Sequence, residues 1–95
     1  MSNGTMIREM AATEHEFRHG LTFAFPQGVT EHDGAFHVVH AGAAMEIVTE
    51  PLPPRIIAAL RLPVLSVRIR FTAGTPERQQ EMLARMDRAM LRGGG

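Results

Sequence analysis

Five residues near the start of the chain, His15-Glu16-Phe17-Arg18-His19, carry the one spacing in the sequence that specifies a reaction. On a helix, residues four apart share a face, so imidazoles at 15 and 19 would point the same way and could hold one metal ion. The carboxylate of Glu16 would then serve as general base toward a metal-bound water. In a strand the same two histidines lie about 13 Å apart, too far to share an ion. Whether the segment is helix or strand therefore decides whether it carries chemistry.

The motif resembles that of the zincin metallopeptidases. Residue by residue, the resemblance implies His15 and His19 as zinc ligands and Glu16 as the catalytic carboxylate. It extends over these five residues alone. Thr22 stands where the extended metzincin motif has glycine, and no later histidine falls at its third-ligand spacing. A downstream carboxylate such as Glu46 or Glu50 would have to complete the site. A minimal zinc-dependent hydrolase is thus the enzymatic reading, with zinc as its cofactor; apart from this motif the sequence supports no catalysis and calls for no cofactor.

Other chemistry-bearing residues are less organised. His37 and His40 fall on opposite faces of an extended segment, and Glu31-His32-Asp33 has the composition of a solvated turn. Ser66 lacks a nucleophile-elbow context, and Gly93 to Gly95 follow a helical pattern where a phosphate-cradling loop would precede one. Arg68 and Arg70 alternate with apolar residues and so face away from the core side of their strand. Joined by Arg18 and Glu46, they form the binding cluster expected on an uncovered sheet face. Single-stranded nucleic acid is the alternative ligand of such a basic surface, through these arginines and Arg85, Arg88 and Arg92 at the C-terminal end. The chain has no Trp or Tyr for base stacking, which argues against it.

Ninety-five residues are expected to form a single domain near the small end of what folds without metals or disulfides. There is no cysteine, hence no disulfide framework, thiolate nucleophile or cysteine–zinc site. The N-terminus lacks a signal-peptide pattern and no apolar run approaches the about 20 residues of a membrane span, so a cytoplasmic protein without membrane contact is expected. Net charge is zero but uneven: residues 1–50 carry two arginines against seven carboxylates, and residues 51–95 eight arginines against three. Opposite halves of this kind are expected to pair within one fold.

The elements that must position these residues are clearest at the C-terminal end. Leu65, Val67, Ile69 and Phe71 alternate with Ser66, Arg68 and Arg70, the period of a half-buried strand. Thr75 and Pro76 then suit a helix N-cap and first helical position. Met82, Leu83, Met86, Ala89 and Met90 form one apolar stripe behind them, Glu81 and Arg85 an i,i+4 pair, and Gly93 to Gly95 a stop. Upstream, Phe17, His19, Leu21, Phe23 and Phe25 alternate with small or polar residues, which predicts a strand over 15–25 broken by Pro26-Gln27-Gly28. A helix over about 6–19 closed by Gly20 is the competing reading. Residues 1–14 are read as a weak helix or mobile arm, with Ile7, Met10 and Ala11 as its stripe. Residues 29–34 read as a polar segment closing in an Asp33-Gly34 turn. Ala35–His40 and Ala43–Thr49 read as a hairpin with Met45 and Ile47 inward, residues 51–55 as a proline-stiffened connector, and Ile56–Arg61 as one or two helical turns.

The expected fold is α+β in two layers: an antiparallel sheet of about four strands with the C-terminal amphipathic helix on one face. A sheet with one uncovered face and a short apolar inventory points to association as the function. The expected partners are a second copy in a homodimer, another protein, or a small ligand on the open face.

Overall fold

The structure, a computed structural model, describes residues 5–93, with side chains described to Met90. In chain order the elements are β1 (Met6–Met10), α1 (Glu14–Ala24), β2 (Val29–His32), β3 (Ala35–His40), β4 (Ala43–Ile57), β5 (Leu60–Ala73) and α2 (Pro76–Gly93). The fold is α+β, with five strands where about four are expected. They form one antiparallel sheet in the order β1-β5-β4-β3-β2, so the first strand pairs with the last. Both helices lie on one face and close a single core. Among the described residues no helix is long and apolar enough to cross a membrane.

The additional edge strands come from segments whose patterns are too short to read alone. Residues 6–10, expected as a weak helix or mobile arm, are β1, paired with Leu65–Ile69. Met6 and Met10 pack against the core while Arg8 between them reaches Asp87 of α2 at 2.6 Å. A charged inward residue hides the alternation from a hydrophobicity reading; its partner arrives 79 positions later. Val29–His32 pairs with β3 across Asp33-Gly34, whose φ values of 55° and 77° are those of a tight two-residue hairpin turn.

Residues 14–24 correct the strand expected over 15–25. They are α-helical, and the local signal for a helix lies at the first turn. Thr13 accepts a hydrogen bond from the Glu16 amide at 3.1 Å, and the Glu16 carboxylate accepts one from the Thr13 amide at 2.9 Å, a complete capping box. Phe17, Gly20, Leu21 and Ala24 then face the core at helical spacing, and Phe23, which alternation turns inward, is 62 % exposed. Gly20 does not end the helix as the competing reading requires. It lies where α2 crosses, and a Cβ there would stand 2.8 Å from the Met90 sulfur. Its lack of a side chain serves packing between helices.

The stretch from residue 51 to 61 is extended on both sides of a two-residue turn, and Ile56–Arg61 contains no helical turn. β4 continues through Pro51, Pro53 and Pro54, bulges between Leu52 and Arg55, and returns as β5 through a turn at Ala58-Ala59, with Ala58 at φ 54°. β1 reaches β5 only at residues 65–69 and β3 reaches β4 only at 43–47. The distal part of the β4–β5 hairpin therefore projects as a two-stranded arm that no further strand among the described residues flanks. At the C-terminal end the reading stands: Thr75 accepts from the Arg78 amide at 3.3 Å, Pro76 begins α2, and Met82, Leu83, Met86 and Ala89 are buried. Gly94 and Gly95 of the expected stop lie outside the described residues.

Candidate functional site: the uncovered sheet face

With both helices on one side, side chains that alternate to the other side of β1, β5, β4 and β3 meet no covering element among the described residues. Their neighbours are set by strand register. One cross-strand row holds His37, Glu46 and Arg70. Arg70 Nη2 donates to Glu46 Oε1 at 2.6 Å, and His37 Nε2 stands 3.9 Å from the other carboxylate oxygen. The hydrogen bond from Arg70 holds the Glu46 carboxyl below its ordinary range, against a smaller opposing effect of desolvation.

The adjacent row holds Ile7, Arg68 and Val48. Ile7 is 63 % and Val48 41 % exposed, large values for β-branched side chains in a sheet, and Arg68 between them is exposed as well. Among the described residues no carboxylate pairs with Arg68. The next row carries Glu9, Ser66 and Glu50. Glu9 lies 3.7 Å from Arg55 of the projecting arm. Ser66 thus has carboxylates as its cross-strand neighbours and no histidine in its row, so a base for nucleophilic catalysis is not at hand.

Of the four residues expected to cluster, the fold brings together Glu46, Arg68 and Arg70. Arg18 is elsewhere. It belongs to α1, where its guanidinium makes two hydrogen bonds to Glu31, at 2.6 and 3.1 Å, and lies 5.4 Å from the centre of the Phe36 ring. This charge-assisted contact raises the Arg18 pKa and lowers that of Glu31. The sequence reading omits Ile7, His37 and Val48. Alternation with the inward Met45 and Ile47 already turns Val48 outward, whereas Ile7 is legible only once residues 6–10 are known to be a strand.

The helical state of residues 14–24 places His15 and His19 one turn apart, the spacing that the metal reading requires. Both are exposed, and Glu16 is engaged in the capping box. Among the described residues no third His, Cys, Asp or Glu stands with them to complete a metal site. Glu46 is on the opposite side of the sheet with Arg70, and Glu14 accepts from the Thr49 hydroxyl at 2.8 Å. At the C-terminal end Arg85 does not pair with Glu81; its Nε donates to the Ala24 carbonyl at 2.6 Å, where a cation complements the end of the α1 dipole. Arg88 is exposed, and the side chain of Arg92 lies outside the described residues.

No protein-family model matches the chain, and no curated protein matches it.

Proposed function

We propose that this domain works by association, with the uncovered sheet face as its binding surface and no catalytic step of its own. The observation that carries this reading is the Ile7–Arg68–Val48 row, a cation without a carboxylate partner among the described residues, between two exposed apolar side chains. Such a row suits a partner that presents an apolar group beside an anion. The apolar flanks exclude water from the contact, and the guanidinium offers a planar fork of donors to a carboxylate or similar group. Arg70 is already engaged by Glu46 and gives the row a fixed polar border.

An apolar anion such as 8-anilinonaphthalene-1-sulfonate tests the surface. At neutral pH, with the fold checked by circular dichroism, its fluorescence is expected to rise on binding, with amide shifts centred on Ile7, Val48 and Arg68. Arg68→Glu and Val48→Asp should each weaken binding at least tenfold. Shifts centred elsewhere, or unchanged affinity in both variants, would remove the sheet face from consideration.

A further inference from the structure

The projecting end of the β4–β5 hairpin has a composition that its isolation does not explain. Ile56, Ile57 and Leu60 at its tip are 67 %, 50 % and 61 % exposed, a contiguous apolar end on an arm held away from the core. Its edges are not built to take up another strand. Pro51, Pro53, Pro54 and Pro63 lack backbone donors, so an added strand would find an interrupted ladder. A partner must therefore meet the arm through side chains.

A complementary surface lies at the base of the same arm. Where β4 and β5 pass the link between β1 and α1 there is a cleft of about 310 Å³, lined by Ala12, Glu14, Pro51, Pro54, Pro63 and Leu65 among others. The tip is apolar with one cation, Arg61, beside Ile56 in the register. The cleft is largely apolar with one carboxylate, Glu14, whose partner among the described residues is the neutral Thr49 hydroxyl. Arg61 likewise has no ion pair among the described residues. Tip and cleft thus match in both apolarity and charge. An extended hairpin cannot fold back onto its own base, so the match is met between two molecules.

We propose that two copies of this chain associate by reciprocal arm exchange, each seating Ile56 in the cleft of the other with Arg61 against Glu14, the two side chains that the register places on one face of the arm being Ile56 and Arg61. This names the partner and the contact for one association, and rests on the reading of the domain as one that works by association. Area favours reciprocity. Seven residues at about 3.3 Å each and two strands about 4.8 Å apart give an arm face on the order of 200–300 Å². One arm in one cleft would remain at the scale of packing contacts, and reciprocal exchange doubles that contact. Antiparallel arms related by a twofold axis bring each tip to the other's base, which closes the assembly at two.

Light scattering on the full chain, from about 5 to 200 μM, tests the proposal. The expected species is twice the 10.5 kDa chain mass at the upper end. Ile56→Asp should be monomeric throughout, with unchanged circular dichroism and retained binding of the apolar anion at the sheet face. Arg61→Glu should weaken dimerisation at least tenfold and Arg61→Glu/Glu14→Arg restore it. Because the chain has no cysteine, Ala12→Cys/Ala59→Cys should form an intermolecular disulfide on oxidation. A dimer that survives in the arm variant overturns arm exchange while leaving association intact. A wild-type chain that stays monomeric at 200 μM overturns arm exchange too, and anion binding then decides the sheet-face reading separately.

Discussion

Glu46 shows how one side chain on the open face is tied to the fold. Its carboxyl is held below the ordinary range by the hydrogen bond from Arg70, then by the charges of Arg70 and His37. The folded protein thus keeps it ionised to lower pH than the unfolded chain does. Its contribution to stability is fully present above the unfolded carboxylate value, about 4.3, and is lost as pH falls through the lower folded value. Wild type should exceed Glu46→Gln in urea midpoint at pH 7, and the gap should close toward pH 3. A gap that stays constant over that range would mean that the Arg70 contact is not what separates the two proteins. Glu46, Arg68 and Arg70 were legible as outward residues from alternation alone. Arg18 was not, because a guanidinium at the correct parity of a supposed strand in fact belongs to a helix and reaches Glu31 on the covered side.

At the scale of elements, α1 shows two local signals in conflict. Alternating bulky residues over 17–25 favour a strand, whereas Thr13 and Glu16 specify a helix start. The helix prevails because Phe17, Leu21 and Ala24 then share one buried face and Gly20 admits α2. If the cap is what fixes this start, Thr13→Ala should cost about 1 kcal/mol, seen as a lower urea midpoint with an unchanged slope. Faster amide exchange should be confined to the first turn. An effect below about 0.3 kcal/mol would place the deciding energy in tertiary packing alone. The same element governs the metal question: helicity gives His15 and His19 the required spacing, and capping engages Glu16.

The whole molecule has one core, to which both helices and the inner faces of the strands contribute. The acidic first half and basic second half meet along the sheet in Arg55–Glu9 and Arg70–Glu46, while Arg8–Asp87 joins the halves with the signs reversed. Met86 is fully buried in that core. Met86→Ala should therefore destabilise the protein by about 2–5 kcal/mol, and helix and sheet signals should be lost in one transition. Separate midpoints for far-ultraviolet dichroism and strand methyl resonances would show that α2 is not integral to the sheet's stability. The sheet face and the arm tip are both apolar surface that this core leaves out.

The sequence by itself determined the α+β class, the inward faces of β4 and β5, the Asp33-Gly34 turn and the start and buried stripe of α2, all encoded within a few neighbouring residues. Tertiary structure decided the rest. β1 is a strand because β5 supplies its ladder and Asp87 accepts its inward arginine; α1 is a helix because its buried face and Gly20 meet α2. The prolines of β4 sit in an arm that no strand among the described residues flanks. In each case the deciding partner lies far along the chain, and a pattern of five to eleven residues carries no record of it. The HEFRH spacing was legible from the first residue to the last, but its surroundings were not. The open face that the functional reading rests on exists only because both helices pack on the same side of the sheet.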